Sequence, residues 1–384
     1  MQISQVHLKG DLDDQSIAKL SAIKPTVLYA FGDAKYFADG TLGKKLNSAF
    51  PNTVVVGCST AGEIVDTYVH ESTLVLTAVN DGSEYAMATT ELEDMQHSRE
   101  AGRRLGKQLA STKPKMVFVV APGLNINGSE LVEGLITELG DKVLVTGGLA
   151  GDGTRFGTTY TMSNKTISTR QVVAIAMHKG PASVSSGVEG GWHPFGPYRQ
   201  VTRAENNILY ELDGKSALQL YREYLGDRAK DLPGSGLLYP LDVISKGRDD
   251  TDSIVRSILD INDEKGSIML AGDVHVGDMV RLMHAKTENL VAGAKSAAEY
   301  AVKSTPSSDK PSLGILVSCI GRRIVMGDDV DDEVGSVKEV FGPNAVITGF
   351  YSYGEICPPK VGKPSRLHNQ TMTITRIAHT AHDG

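Results

Sequence analysis

The chain has 384 residues, of which 40% are hydrophobic and 22% charged, ordinary values for a globular protein with a sizeable core. Its formal net charge of −7 argues against nucleic acid as the main partner, because binding to phosphates needs a basic surface. The sequence shows no signal-peptide pattern and no apolar run of about 18 residues, and its three cysteines are too few for a disulfide framework. We therefore expect a cytoplasmic protein without membrane insertion.

One phrase occurs three times along the chain, at residues 54–64 (VVVGCSTAGEI), 142–152 (KVLVTGGLAGD) and 345–356 (AVITGFYSYGEI). Each copy is an apolar run, then a small, turn-prone stretch, then a glycine followed directly by an acid. Such a run predicts a buried strand, and glycine suits an exit loop that needs a positive φ. Ligands of open α/β sheets bind at the carboxyl ends of strands, so each copy marks a candidate rim of a binding site.

The neighbourhood of each copy repeats as well, in the order strand, helix, strand. The predicted elements are 26–31, 41–50 and 54–57; then 116–121, 129–139 and 143–147; then 313–318, 331–341 and 345–349. These βαβ-like units predict parallel strand pairs with right-handed crossovers. Their spacing is too irregular for a solenoid, so the pattern indicates duplication within the chain.

Other segments complete the predicted fold. Residues 73–79 with 85–90, and 171–178 with 182–188, are predicted as two hairpins, and 99–110 and 292–303 as helices. Glycine is dense from Ser185 to Gly196, which predicts one domain over residues 1–185 and a second over 186–384. The fold class is α/β (α+β), with mixed β-sheets flanked by helices and packed sheet on sheet.

Two pairs of phrases resemble the hallmarks of a known family. Residues 57–64 (GCSTAGEI) and 148–153 (GLAGDG) resemble those of the FIST N domain, and 210–217 (YELDGKSA) and 351–356 (YSYGEI) those of FIST C. The resemblance covers nearly the whole chain in the expected order. It implies a sensory, small-ligand-binding module that feeds signalling partners. In length, and in lacking a fused output domain, the chain also resembles the bacterial nitric-oxide-sensing haemoproteins (NosP).

That branch implies haem b, bound through a histidine, and control of a histidine kinase or a cyclic-di-GMP enzyme. The candidate ligand is His193, because it lies at the predicted domain junction, where ligand pockets are common. The neighbours predicted to complete the haem site are two apolar walls, a stiffening proline and two cations for the propionates: Trp192, Phe195, Pro194, Arg199 and Arg203. A surface histidine in an aromatic interdomain loop is the alternative.

Other residues leave further alternatives open. Cys357, before Pro358, could present a thiolate to haem, although an ordinary cysteine ending a strand is favoured. Cys58 follows an apolar run and is predicted to be buried, as is Cys319. The acids Glu63, Asp152 and Glu355, with Asp213, could line a polar pocket for an amino acid, but at least two of the three repeat acids are predicted to accept hydrogen bonds from turn amides.

We expect a non-enzymatic sensor. The leading hypothesis is haem-mediated sensing of nitric oxide with His193 as the proximal ligand, and the second is a haem-free FIST module that binds an amino acid or another metabolite. A transferase using Cys58 comes third. Hydrolase, dinucleotide, Walker A, calcium and zinc sites are not favoured, because none of their residue spacings is matched.

Overall fold

The computed structural model describes residues 1–247, 253–304 and 311–379, and in them one structural plan is built three times. The elements of the first unit are β1 (Gln2–Leu8), α1 (Asp14–Ser21), β2 (Val27–Gly32), α2 (Thr41–Ala49), β3 (Val54–Ser59), β4 (Glu63–Val65), β5 (Tyr68–His70) and β6 (Leu74–Asn80). Those of the second are β7 (Glu84–Glu91), α3 (Ser98–Ala110), β8 (Met116–Ala121), α4 (Gly128–Leu139), β9 (Leu144–Leu149), β10 (Thr161–Ser163), β11 (Thr166–Ser168) and β12 (Gln171–Lys179).

The third unit is interrupted by an inserted sheet. It begins with β13 (Ala182–Glu189), after which the insertion contributes β14 (His193–Glu205), β15 (Ile208–Leu212), β16 (Lys215–Ser216), α5 (Ala217–Leu225), β17 (Leu241–Ile244), β18 (Ile254–Arg256), β19 (Ile258–Asn262), β20 (Ser267–Leu270) and β21 (Met279–His284). The unit then resumes with α6 (Thr287–Lys303), β22 (Ser312–Cys319), α7 (Ile320–Met326), α8 (Val330–Phe341), β23 (Ala345–Ser352), β24 (Gly354–Cys357), β25 (Arg366–His368) and β26 (Met372–His379).

Each unit forms most of one sheet and lends a hairpin to another. The strand orders are β1-β6-β2-β3-β10-β11, β7-β12-β8-β9-β24-β25 and β13-β26-β22-β23-β4-β5. The predicted parallel pairs are confirmed as β2 with β3, β8 with β9 and β22 with β23. The predicted helices and the mixed α/β class are confirmed too, with sheet packed on sheet around one centre. Strands from both sides of residue 185 share two of these sheets, and a domain boundary there stays a prediction.

The inner faces of the three sheets meet in one apolar core. Side chains alternate between the two faces of a strand, so Tyr29 and Phe31 of β2 point inward while Leu28 and Ala30 pack against α1 and α2. Inside, the ring of Tyr29 meets that of Phe118 from the second sheet at 5.7 Å, and Phe31 meets Phe350 from the third at 4.7 Å. Both faces of these strands are therefore buried, which explains their unbroken apolar runs.

The two predicted hairpins are wrong. Residues 80–82 carry the chain out of the first sheet, where β6 lies between β1 and β2, and into the second, where β7 pairs with β12. Residues 179–181 carry it in the same way from β12 to β13 of the third sheet. A turn signal specifies a change of direction but not the partner of the next strand, and here each next strand pairs within a different sheet.

The repeated phrase forms the crossing turns between sheets. After β3 the chain crosses to pair with β23, after β23 it crosses to pair with β9, and after β9 it crosses to pair with β3. The three turns bond to one another through the backbone: Ala61 N–H donates to Tyr351 at 2.8 Å, Gly151 N–H to Ser59 at 2.9 Å and Tyr353 N–H to Leu149 at 3.3 Å. Each copy of the phrase thus forms one of three crossing turns, and the three turns meet at one junction between the sheets.

The glycine before each turn is required by the parallel partner strand. A Cβ on Gly147 would lie 1.9 Å from the Val119 carbonyl oxygen, and one on Gly349 would lie 1.9 Å from that of Leu316. Both glycines also have positive φ, of 128° and 149°, which other residues rarely adopt. The close approach of the two strands therefore excludes any side chain there.

Candidate functional site

Glu63, the acid of the first crossing turn, is buried and bonded within its own unit. Its carboxylate accepts hydrogen bonds from the Thr60 hydroxyl and from the backbone N–H and hydroxyl of Thr73, at 3.0 and 2.8 Å. Burial raises the pKa of Glu63 to about 7, although these hydrogen bonds act in the opposite direction. The side chain ties the crossing turn to the start of β6.

Glu355 repeats this arrangement in the third turn. It accepts from the Ser352 hydroxyl at 2.8 Å and from the N–H and hydroxyl of Thr371 at 3.1 and 3.0 Å. Burial raises its pKa to about 8, again against the effect of the hydrogen bonds. Both acids therefore accept from turn residues, as expected for at least two of the three.

Asp152, the acid of the second turn, is held differently. It accepts from the backbone N–H groups of Gly157 and Thr158, at 2.8 and 2.9 Å, and from the Tyr353 hydroxyl. The hydroxyl comes from the third unit, so this carboxylate joins two units. The carboxylates of the three turns are thus structural acceptors, and ligand-binding groups must be sought around them.

A pocket of about 350 Å³ opens at the carboxyl ends of β2 and β3. Its base is the first crossing turn, residues 60–63. Asp33 follows β2 on one side, Gly153–Arg155 follow the second turn on another, and residues 320–328, with α7, form the third side. Every unit contributes to this pocket, at the strand ends where ligands of α/β sheets commonly bind.

Two ion pairs cross between units at the pocket. Arg323 donates to the Ala61 carbonyl oxygen and pairs with Glu71, and Arg155 pairs with Asp33 at 3.1 Å. The side chains of Arg155 and Glu71 are 55% and 69% exposed, so water screens both pairs. Screened pairs of this kind contribute about 0–1 kcal/mol, so a ligand can replace them at little cost.

The remaining lining adds a carboxylate and an apolar surface. Asp328 is exposed at the end of α7, and Ile320 and Ile324 of the same helix face the pocket. The pocket thus offers two guanidinium groups, exposed carboxylates and a small apolar wall. Such a set can bind a compact molecule that carries both charges.

Five of the six predicted haem residues lie on β14 of the inserted sheet, and Trp192 directly precedes that strand. His193 begins β14, is exposed, and pairs with His284 of β21, with ring centroids 6.4 Å apart. Pro194 is exposed too, and Phe195 is 46% exposed with its ring edge toward His284. Trp192 is instead buried, and its indole N–H donates to the Gln370 carbonyl at 2.8 Å.

The two predicted propionate partners already have partners. Arg199 pairs with Asp213 at 3.1 Å and also donates to the Tyr224 hydroxyl, and Arg203 lies 3.7 Å from Glu211. Asp213 accordingly belongs to the inserted sheet and not to the pocket lining at the first turn. Haem needs an apolar enclosure, and the described residues around the exposed His193 do not form one. The haem assignment stays a prediction.

All three cysteines are buried, as expected for Cys58 and Cys319. Burial raises the pKa of Cys357 to about 12 and that of Cys58 well above its usual range. Both thiols are thus protonated at neutral pH, which disfavours a haem thiolate at Cys357 and a nucleophile at Cys58. Cys357 is the last residue of β24, as favoured from the sequence, and its buried thiol contacts the Gly187 carbonyl at 3.8 Å.

Sequence reasoning located the rim of the pocket but missed its charged groups. Asp33 follows a predicted strand and Arg155 follows the second phrase, so the strand-end rule could have found both. Arg323 comes from a distant unit with no local motif, and only the crossing of strands between sheets brings it to the first turn.

Two other kinds of feature are absent from the part of the chain that the structure describes. There, no three His, Cys, Asp or Glu side chains are grouped so as to hold a metal ion. None of the helices described combines the length and apolar character needed to cross a membrane.

Comparison with known proteins identifies a family. The FIST N domain matches residues 26–215, and the FIST C domain matches residues 217–358. An uncharacterised protein of Mycobacterium tuberculosis is 28% identical over 253 residues, which are 64% of this chain and 63% of that protein. The chain therefore spans less than two thirds of this relative's length.

Two other relatives are more distant. An uncharacterised protein of Mycobacterium bovis is 25% identical over 237 residues, covering 60% of this chain and 59% of its own. One of Methanocaldococcus jannaschii is 24% identical over 208 residues, covering 50% of this chain and 37% of its own. All three relatives are uncharacterised proteins, so none of them points to a ligand.

Proposed function

This chain belongs to the FIST family of sensory domains, and we propose that it senses a small zwitterionic metabolite, such as an amino acid, in the pocket at its first crossing turn. One observation carries the proposal: the turn Thr60–Glu63, part of the FIST N phrase, forms the base of a 350 Å³ pocket with opposite charges on its walls. That volume lies at the low end of small-molecule sites, which favours a compact ligand.

The lining supports recognition of both ends of an amino acid. The guanidinium groups of Arg155 and Arg323 are suited to a carboxylate, and Asp33, Glu71 and Asp328 to an ammonium group. Ile320 and Ile324 would contact the side chain of the ligand. The ligand's charges would replace the two screened ion pairs, so binding need not leave any charge unpaired.

Binding in this place can bias the arrangement of the units. Arg323 of the third unit pairs with Glu71 of the first, and Arg155 of the second pairs with Asp33 of the first. A ligand that exchanges these partners binds one arrangement of the units more tightly than another, and that difference is what shifts a conformational equilibrium. The protein itself is proposed to act without enzymatic activity.

A thermal-shift screen of the twenty amino acids tests the proposal. We expect at least one to raise the Tm of the wild type, because a ligand that binds only the folded state stabilises it. Arg323→Gln, or the double variant with Arg155→Gln, should reduce that rise, whereas Arg103→Gln should not. Arg103 pairs with Glu138 on α3 and α4, outside the pocket, and its loss removes the same charge. The absence of any shift, or equal shifts in all variants, would contradict the proposal.

The output is proposed from the sensory character of the family. The recipient would be a sensor histidine kinase or a cyclic-di-GMP enzyme in the cytoplasm. Its activity should respond to the ligand only when the FIST protein is present, and Arg323→Gln should weaken that response. An unchanged response in this variant would separate the pocket from signalling.

Nitric oxide sensing through haem b is the second candidate. The observation that favours it is a pair of histidines, the exposed His193 and the half-buried His284, beside the exposed ring of Phe195. Haem would supply an iron that binds nitric oxide, and His193 would be its protein ligand. Protein reconstituted with haem should then show a Soret band that changes with nitric oxide and is lost in His193→Ala but kept in His178→Ala. A spectrum indifferent to the first substitution would reject His193.

A further inference from the structure

A second pocket lies between the inserted sheet and the second unit. Its volume is about 700 Å³, and it is bounded by α4, by β17 and β18, and by the loop that leads into β25. Val132 and Ile136 of α4 and Val243 of β17 give it apolar walls, whereas Arg256 and Lys363 bring positive charge. None of these residues belongs to the pocket at the first crossing turn.

Arg256 is the unusual residue of this pocket. Its side chain is buried, with only 5% of the residue exposed, yet its hydrogen bonding is incomplete. Nη1 donates to the Leu367 carbonyl at 3.1 Å and to Asn369 Oδ1 at 3.3 Å, and Nη2 reaches the Ser129 hydroxyl only at 3.4 Å. Nε has no acceptor. A buried guanidinium normally has all its donors bonded and a counter-charge nearby.

The charge of Arg256 also lacks a close counter-ion in the part of the chain that the structure describes, where no carboxylate oxygen lies within 4.0 Å of it. Asp273 acts on it from further away and is itself bonded to the Asn127 amide at 3.0 Å. The two glutamates of the pocket, Glu130 and Glu133, pair with Arg99. These three carboxylates are thus engaged elsewhere, and Asp141, which also lines the pocket, forms no ion pair with Arg256.

Arg256 stays charged despite its burial. Desolvation lowers its pKa to about 10, and the positive charge of Arg366 acts in the same direction. At neutral pH the guanidinium is therefore still protonated. An uncompensated buried cation of this kind destabilises a fold unless an anion neutralises it.

We propose that this pocket binds an organic oxyanion, a carboxylate or phosphate group carried on an apolar body. The oxyanion would be held by Arg256 and Lys363, near the first turn of α4, where the helix dipole also favours negative charge. The apolar body would lie along Val132, Ile136 and Val243. This site is distinct from the amino acid pocket and does not depend on it.

The substitution Ser129→Asp tests the proposal inside the fold. The Ser129 hydroxyl lies 3.4 Å from Arg256 Nη2, so an aspartate there can supply the missing carboxylate. Ser129→Asn is the matched control, because asparagine has the shape of aspartate without its negative charge. The probes are phenyl phosphate and benzoate, each titrated at constant ionic strength with the Tm as the readout, so that phosphate and carboxylate classes are distinguished.

We expect a higher Tm for Ser129→Asp than for Ser129→Asn without any probe. At least one probe should raise the Tm of the wild type and of Ser129→Asn, whereas Ser129→Asp should bind it roughly ten- to a hundredfold more weakly, the range of a charge-assisted hydrogen bond. Equal probe-dependent shifts in the two variants, or no shift with either probe in the wild type, would overturn the proposal.

A second pair of variants tests the cation itself. Arg256→Gln should abolish the probe-dependent shift, and Arg222→Gln should keep it. Arg222 lies on α5 of the same insertion, pairs with Asp263 and is 41% exposed. Both substitutions remove one positive charge, but Arg222 does not line the pocket. If Arg256→Gln proves unable to fold, the Ser129 pair still decides the question. Binding retained in folded Arg256→Gln would contradict the assignment.

Discussion

The first and third crossing turns share a backbone but differ in what covers them. Ser72 before Thr73 and Gln370 before Thr371 both have positive φ, of 59° and 64°, and both precede a threonine that bonds to the acid of its turn. Yet Ser72 is exposed and lines a pocket, whereas Gln370 is buried and donates to the Leu237 carbonyl of the inserted segment at 2.9 Å.

The difference shows how one plan can supply both structure and a site. At the third turn, the insertion covers Gln370 through Leu237 and Trp192, and the turn is part of the core. At the first turn none of the described residues of the insertion lines the pocket, and the same set of bonds forms the base of a cleft. The two turns therefore have the same geometry, but the third is covered by the insertion and the first is open.

Removing the two equivalent acids should have the largest effect on stability, and the effect should be greater at the third turn than at the first. Glu355→Ala leaves three buried donors without an acceptor and should lower the free energy of unfolding by about 3–5 kcal/mol. Glu63→Ala should cost only about 1–2 kcal/mol, because water from the pocket can reach the vacated site. Urea unfolding of both variants at neutral pH measures the difference. Equal losses would show that the pocket does not hydrate the first turn.

A substitution at the glycine that precedes the third turn should disrupt the close packing of the two parallel strands. Gly349→Ala places a Cβ 1.9 Å from the Leu316 carbonyl oxygen and requires a positive φ of 149°, so we expect a loss of about 2–4 kcal/mol. The control is Gly335→Ala on α8, where a Cβ meets no atom within 4 Å. It should be neutral or stabilise by up to about 1 kcal/mol. Comparable effects of the two changes would refute the close-approach argument.

The pH dependence of stability should also differ between the acids of the first and third turns. The folded pKa of Glu355, about 8, lies above its ordinary value of 4.5, so the folded state binds more protons than the unfolded state between these limits. Stability is therefore greatest below the lower value and is lost as the pH rises through the upper one. The wild type should lose on the order of 5 kcal/mol relative to Glu355→Gln across this window, because each pKa unit of difference corresponds to about 1.4 kcal/mol.

Glu63 provides the internal control for this effect. Its folded pKa is about 7, so the same comparison with Glu63→Gln should give a smaller loss that is complete at lower pH. Denaturant unfolding at several pH values measures both curves. Parallel curves for the wild type and Glu355→Gln would show that the carboxyl group is not protonated in the folded state.

The smallest effect on stability is expected at the mouth of the pocket. Glu71→Gln removes the partner of Arg323, but that side chain is 69% exposed, so the free energy of unfolding should change by less than about 1 kcal/mol. The substitution also removes one of the three carboxylates proposed for the ligand's ammonium group, so ligand affinity should fall although Arg323 is freed. A large loss of stability would place the pair among the structural bonds and not in the site.

Much of the architecture could be predicted from sequence, because it rests on local patterns. The apolar run of β2 and the periodicity of α4 define their elements within two residues of the predicted bounds. The pairing of β6 and β7 could not be predicted, since the turn between them looks the same whether the next strand stays in the sheet or leaves it. Which strand lies beside which is a property of the whole core.

The candidate sites show the same limit. The phrase around Glu63 pointed to the correct rim, because strand ends are where ligands bind in such sheets. Arg323 and Arg256 carry no motif, and each acquires its importance only from neighbours distant in the chain. His193, by contrast, stood out through its aromatic and proline-rich context, which in the structure is the exposed start of a strand.

Hydrogen–deuterium exchange with and without an equimolar mixture of the twenty amino acids tests directly whether the pocket at the first crossing turn binds an amino acid. A ligand in the pocket at the first crossing turn should slow exchange in residues 60–63 and 153–155. It should leave exchange unchanged in the covered third turn, residues 352–355, and in residues 370–371 beside it. Slower exchange confined to residues 190–203, around the start of the inserted sheet, or no change in any segment, would contradict binding at the first turn.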